Sequence, residues 1–341
     1  MQPSTQWQET VAPDENVRFE AYAEELHQLQ LKNAGKGKPS RALHAKGMPG
    51  LEATFTVHAD LPDAVRIGLF ANPGSYRAFV RFSNGSGAHQ HDRKPDIRGI
   101  AVKILGVTGR KIIPGMEDAL TQDFLMIRSA ATPVRNAEEF MALVRVASSP
   151  LSGLPGLLRQ VGLRRLLDLL RRAAKTLKPV ASLATTRFYS ALPIQFGPYA
   201  VHYALRPNSL PEPGDCPGGN PDYLARDLAE RLRRTPVSFD FQVQFYVDPV
   251  KTPIEDASVE WREEDAPFIT LGHLTFAQQD MERPAAQRLS AFIETLSFDP
   301  WHALTEFRPL GNMMRARNVA YRVSTQARAA AAEPNGDEFF D

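Results

Sequence analysis

Apolar and polar residues alternate most cleanly between Val237 and Val247. Val237, Phe239, Phe241, Val243, Phe245 and Val247 fall on one side of an extended chain, and Ser238, Asp240, Gln242, Gln244 and Tyr246 on the other. Successive side chains of a strand point to opposite faces, so this period predicts a half-buried strand in a largely antiparallel sheet. Tyr199 to Arg206 and Phe268 to Phe276 read as its companions. An earlier group contains Leu51 to His58, the short run Arg77 to Ser83, and the nearly continuous apolar stretch Ile97 to Val107.

Helical periodicity surrounds these strands. Val17 to Lys32 reads as an amphipathic helix, and residues 33–40 as a loose linker. Ala285 to Leu296 and Met313 to Ala332 are helical as well. Between the two strand groups lies a Leu- and Arg-rich helix pair, Gly156 to Lys178. Here Leu157, Leu158, Leu163, Leu166, Leu167, Leu169 and Leu170 alternate with Arg159, Arg164, Arg165, Arg171 and Arg172. Its ordinary reading is a helix with a solvated basic face packed on its own core; the sharper one is a weak membrane-surface or partner contact. The tail after Ala332 is acidic and is expected to be disordered. The expected organisation is therefore an N-terminal helix and linker (1–40), one main domain (41–332) with a helical insertion at about 150–180, and the tail (333–341).

The chain has 341 residues, 43% of them hydrophobic, enough for one large core. A net charge of +1 gives no reason to expect a nucleic-acid partner. The lone Cys216 sits in a Pro/Gly-rich stretch and reads as a loop thiol, with no internal disulfide open to it. Met1 to Asn16 is polar and acidic, unlike a signal peptide, and no apolar run approaches the roughly 18 residues that would span a bilayer. The expected location is cytoplasmic.

Chemistry is concentrated near the C-terminus. Arg317 and Tyr321 are spaced i,i+4, and Arg328 follows seven residues later, so all three point to one side of a helix. A free tyrosine, with a pKa of about 10, is a poor metal ligand at neutral pH. A guanidinium one turn away favours the phenolate and makes ligation of a ferric ion feasible. By spacing alone, an ordinary buried tyrosine beside two exposed arginines explains the pattern as well. His44, in Arg41-Ala42-Leu43-His44-Ala45-Lys46-Gly47, reads alone as a hydrogen-bonding or surface histidine. His89-Gln90-His91-Asp92 has a metal-like look but reads as a solvated turn, and Asn84-Gly85-Ser86 is a glycosylation sequon without a secretory signal.

Taken together, the motifs resemble the catalase superfamily. The segment Arg41 to Gly47 is similar to the one that carries the distal histidine, and Val80-Arg81-Phe82-Ser83 to the strand after it. Asp96-Ile97-Arg98-Gly99-Ile100-Ala101-Val102-Lys103 resembles the Asp-Pro-Arg-Gly-Phe-Ala-Val-Lys stretch of catalases. Val134 to Phe140 resembles the segment placing a phenylalanine against the haem. Ser297-Phe298-Asp299-Pro300 and Arg317-Asn318-Val319-Ala320-Tyr321 match the approach to the proximal helix and its Arg-x-x-x-Tyr motif. These matches keep their order across residues 41 to 328.

The resemblance implies an α+β fold, a catalase-like antiparallel β-barrel with surrounding helices and haem b between the barrel and the proximal helix. It implies that Tyr321 ligates the iron, as tyrosine does in catalase, with Arg317 holding it as a phenolate. Arg41, Arg81 and Arg328 would pair with the propionates and Phe140 would stack on the macrocycle. His44 would be the acid and base above the iron, oriented by Ser83. The implied activity is haem-dependent consumption of hydrogen peroxide or an organic hydroperoxide. A fatty-acid-hydroperoxide isomerase or lyase and a non-enzymatic haem-binding protein are the alternatives, and homo-oligomerisation is left open.

Four departures from the catalase pattern stand out. The chain lacks the long N-terminal arm and the additional C-terminal chain of full-size catalases, and so resembles the short catalase-related haem proteins. The distal asparagine, counted from Asp123 without gaps, falls on Ile127; a gapped count offers Thr121, Gln122 or Arg128. Leu43 replaces the usual valine, and Ala327 replaces a histidine of the proximal helix. Weak dismutation of hydrogen peroxide is expected from the second departure.

Overall fold

The computed structural model describes residues 3–35, 37, 39–209 and 219–340, so Cys216 lies outside the described residues. Among the described residues, nine strands form one antiparallel sheet: β1 (Leu51–Val57), β2 (Gly74–Asn84), β3 (Arg98–Leu105), β4 (Thr121–Ile127), β5 (Phe188–Tyr189), β6 (Ile194–Phe196), β7 (Tyr199–Pro207), β8 (Val237–Phe245) and β9 (Ile269–Phe276). Its order is β5-β4-β3-β2-β1-β9-β8-β7-β6, and β5 also pairs with β7. That pairing closes an eight-stranded barrel, and β6 pairs with the first part of β7 (Tyr199 to Val201) while β5 pairs with Ala204 and Leu205 further along it. Closure removes the sheet edges that would otherwise seek another strand.

The expected alternation in β8 holds on its apolar side. Val237, Phe239, Phe241, Val243 and Phe245 all enter the barrel core. The ring of Phe241 meets those of Phe124 at 4.9 Å, Phe55 at 5.3 Å and Phe70 at 5.5 Å, so edge and stacked aromatic contacts fill the centre. The polar side differs from expectation. Gln242, Gln244 and Tyr246 are buried, because the segment that follows folds over them. Gln244 Nε2 donates to the carbonyls of Trp261 and Ala266, replacing the water a half-buried strand would have met.

Among the described residues, six α-helices surround the barrel: α1 (Glu15–Ala34), α2 (Ala137–Ser148), α3 (Pro150–Thr176), α4 (Tyr223–Arg234), α5 (Pro284–Thr295) and α6 (Asn312–Ala327). The expected helix pair near 156–178 is α3, broken at Gly162, whose φ of 75° only glycine adopts without strain. Helix α6 ends at Ala327, several residues before the expected Ala332, and Ala329 then takes a positive φ. Two motifs set aside in the sequence prove structural. Asp92 is fully buried instead of solvated, accepting from Lys46 Nζ, Asn84 Nδ2 and the Leu224 amide. Asn84 is equally buried and thus closed to glycosylation in the folded chain.

The outer face of β2, β3 and β4 positions the site. Paired residues of neighbouring strands share a face, so three rungs follow in order: Ser83–Gly99–Ile127, Arg81–Ala101–Leu125 and Phe79–Lys103–Asp123. The first two present a surface of small and apolar side chains with Arg81 and Ser83 at one border. The third is a buried charge cluster. Lys103 Nζ lies 2.8 Å from Asp123 Oδ1 and 2.6 Å from Glu333 Oε2, and His302 Nδ1 lies 3.2 Å from Asp123 Oδ2. Burial works against the Lys103 charge, but Asp123 and Glu333 raise its pKa overall.

Glu333 belongs to the tail expected to be disordered. That segment instead lies against the barrel: Thr121 donates to Glu333, Arg77 donates to the carbonyls of Gly336 and Glu338, and the Phe340 ring sits 5.3 Å from that of Phe292. Its acidic residues and terminal aromatics have specific partners, which the acidic composition alone did not disclose. Lys103→Met would leave Asp123 and Glu333 buried without a cation. Breaking a buried pair from one side costs about 3–5 kcal/mol. The urea unfolding midpoint should drop accordingly, and an unchanged midpoint would show that the cluster contributes no net stability.

Candidate active site

His44 precedes β1 on a loop that runs beside the end of β2, where β1 has not yet begun. The amides of His44 and Ala45 donate to the carbonyls of Gly85 and Ser86, and Met48 donates to Phe82. These bonds hold His44 at a φ of 56°, in the left-handed region that residues other than glycine adopt uncommonly. The ring lies over Gly99: a Cβ there would come within 3.0 Å of Cε1, so the glycine makes room for the imidazole. His44 Nδ1 is 2.9 Å from Ser83 Oγ. Nε2 has no hydrogen-bond partner among the described residues and retains accessible surface. Burial, reinforced by Arg81, Arg317 and Arg41, pushes the His44 pKa down to about 3, which keeps the ring neutral at neutral pH.

Helix α6 carries the second candidate group. Arg317 Nη2 donates to Tyr321 Oη at 2.8 Å, and its guanidinium carbon stands 5.0 Å from the centre of the Tyr321 ring. Burial alone would lower the Arg317 pKa, but the phenols of Tyr321 and Tyr203, with Asp299, raise it overall. The Arg317 charge also acts on His44, so the two sides of the site lie within electrostatic reach. Only Met314 of α6 is buried. The start of the helix is fixed from outside, where Arg315 ion-pairs with Glu9, Glu15 and Glu255.

Arg41, Arg81 and Arg328 are far apart in sequence yet converge on the end of α5. Arg81 Nε and Nη2 donate to the two Glu294 oxygens at 2.7 and 3.2 Å, and Arg81 Nη2 also reaches the His44 carbonyl. Arg41 bonds the Glu294 carboxylate and, like Arg328, the Leu296 carbonyl. Burial opposes the Glu294 charge, but Arg81 and Arg41 hold its carboxyl below the usual range. One carboxylate among three guanidiniums leaves an excess of two positive charges. Arg81 Nη1 and the Nε atoms of Arg41 and Arg328 have no hydrogen-bond partner among the described residues.

Phe140 lies in α2, half-buried in a cluster with Val134, Leu157 and Leu166 that also touches Met313, one turn before Arg317. None of the candidate distal donors stands beside His44. Thr121 donates to Glu333, Gln122 Oε1 accepts from the Leu304 amide, and Arg128 donates to the Lys178 carbonyl. Ile127 occupies the rung of Ser83 and Gly99, so the position counted without gaps is the one that borders the histidine, and it is apolar. Sequence reasoning overlooked Glu294, which carries no local motif. It also overlooked Asp299 as a buried neighbour of Arg317; burial pushes that carboxyl up to about 6.

No protein-family model matches the chain. It is similar to a fungal catalase at a TM-score of 0.66 and 18% identity, over 99% of this chain and 67% of that one. Catalase A from Saccharomyces cerevisiae gives 0.66 at 16%, over 96% and 67%, and a bacterial catalase 0.62 at 16%, over 98% and 64%. The closed barrel with its surrounding helices is thus the catalase fold. Over 313 residues the chain is 30% identical to a catalase-related peroxidase of Mycolicibacterium paratuberculosis, covering 87% of this chain and 92% of that protein. The chain belongs to the catalase-related peroxidase family.

Proposed function

We propose that this protein is a haem-dependent, catalase-like peroxidase that consumes hydrogen peroxide with an organic reductant, or an organic hydroperoxide. Two observations carry this reading: a guanidinium-bound phenol on α6 and a neutral, Ser83-bonded histidine beside the barrel that feels the charge of that same guanidinium. The residues fit haem b. Tyr321 Oη would ligate the iron as a phenolate held by Arg317, and two propionates would match the two unbalanced charges of the Arg41, Arg81 and Arg328 group. Phe140 would pack against the macrocycle. The cofactor supplies the redox-active iron that side chains lack.

The protein moves the proton. A tautomer with Nδ1–H donating to Ser83 Oγ leaves His44 Nε2 bare, ready to accept a proton from the hydroperoxide and return it to the departing oxygen. Ser83 and the constrained backbone fix the ring direction. Ile127 offers no hydrogen bond to the peroxide, a loss of about 3–4 kcal/mol of transition-state stabilisation relative to a positioned donor. Oxygen evolution from hydrogen peroxide alone should therefore be slow, while peroxide consumption should rise when a reductant is added. Oxygen evolution at the rate of a full-size catalase, unaffected by Ile127→Asn, would sink the assignment of Ile127. The apolar Leu125 and Ile127 surface also favours a second reading, isomerisation or cleavage of a fatty acid hydroperoxide; product analysis separates rearrangement from reduction. A haem-loaded sample that turns over neither kind of peroxide would leave a non-enzymatic haem-binding role.

A further inference from the structure

The outer side of α3 carries leucines that no part of the fold uses. The inner side accounts for Leu157, Leu166 and Leu169, which pack with Val134 and Ala142. Leu151 is 96% exposed, Leu163 64% and Leu170 53%, and Leu154, Leu158 and Leu167 are exposed as well. At 100° per residue, Leu163, Leu167, Leu170 and Ala174 fall within an arc of about 60°, with Arg164, Arg171 and Lys175 about 80–120° round from Leu163. Before the break at Gly162, Leu151, Leu154 and Leu158 form a similar stripe with Arg159 on the same flank. A basic border beside an apolar stripe thus runs through both halves of the helix.

Its charge is strongly one-sided. Arg159, Arg164, Arg165, Arg171, Arg172 and Lys175 face a single acid, Asp168. Asp168 already pairs with Arg165 and Arg172, and Arg165 is further engaged by buried Glu139. Among the described residues, Arg159, Arg164, Arg171 and Lys175 form no ion pair, so they remain available to an external anion. A second copy of the chain is a poor occupant. A two-fold interface sets a patch against itself, which would bring these cations together with no free carboxylate between them. The leucines project from the helix without any covering segment, as their exposure shows, and suit a deformable apolar phase.

We propose that the outer face of α3 docks this protein on an anionic lipid surface, with the leucines at the acyl boundary and the flanking cations among the headgroups. Leucine on one side and arginine on the border is the arrangement of helices that lie in the plane of a membrane interface. The aliphatic stems of arginine and lysine let the charges reach headgroups while the leucines are buried. The inference concerns adsorption: no helix of the described residues is long and apolar enough to cross a membrane. It is independent of the haem site.

The test is co-sedimentation of the full chain with vesicles of phosphatidylcholine alone and of phosphatidylcholine with phosphatidylglycerol. Wild type should bind the anionic vesicles, release with added salt, and leave the neutral ones unbound. Each basic residue near an anionic surface is worth about a fivefold change in partitioning, so R159Q/R164Q/R171Q should weaken binding on the order of 10²-fold. L163S/L167S/L170S should weaken it independently, with thermal unfolding unchanged because those side chains are exposed. Failure of wild type to bind anionic vesicles at low salt would overturn the proposal, and so would equal binding to neutral ones. If the leucine variant turns an oligomer into a monomer by light scattering while vesicle binding persists, the ridge is instead an interface between copies.

Discussion

Tyr321→Phe should yield a folded protein that has lost the absorption signature of a phenolate-ligated haem. The substitution removes one oxygen and keeps the ring, and Tyr321 is only half-buried, so the fold loses little packing. The phenol oxygen proposed as the ligand would be lost altogether. Arg317 would keep its charge but lose the acceptor at Nη2, leaving that nitrogen without its 2.8 Å bond. The expected result is removal or gross alteration of the Soret band in haem-titrated samples, with circular dichroism unchanged. An identical spectrum in wild type and variant would overturn the ligand assignment.

His44→Ala has the opposite profile. Haem content and the Tyr321 signature should persist, because the imidazole approaches from the barrel side. Turnover of peroxide or organic hydroperoxide should fall by about 10²–10⁴-fold, the usual contribution of a positioned acid or base. The neutral ring, with Nδ1 tied to Ser83 and Nε2 open, is what the proton transfer requires. Haem stoichiometry and hydroperoxide consumption should be measured in the same preparation. Equal turnover in both proteins would remove His44 from the mechanism.

How far the sequence foretold the structure depended on whether the signal was local. The β8 pattern was legible because five inward apolar residues repeat at the strand period. Strand β4 was not, because Gln122 faces inward to bond the Leu304 amide and Asp123 is buried against Lys103; both break the pattern that marks a strand. Helix α4 was overlooked although Leu224, Leu228 and Leu232 repeat every four residues, a signal that was there to be counted. At the site, Arg317 and Tyr321 were readable because one helical turn joins them. The convergence of Arg41, Arg81 and Arg328 was not readable from spacing, since only the folded barrel and α5 bring them to Glu294. For those three, and for His44, it was the family resemblance that supplied the expectation. The docked tail escaped notice because its partners, Lys103, His302 and Arg77, are distant in sequence.

A tyrosinate-ligated haem held between α6 and the barrel is the central proposal for this protein. Titrating wild-type protein with haemin and recording the resonance Raman spectrum of the purified complex tests this directly. One haem per chain with iron–phenolate vibrations is the predicted result. A complex that shows histidine ligation instead, or a folded protein that takes up no haem, would contradict it.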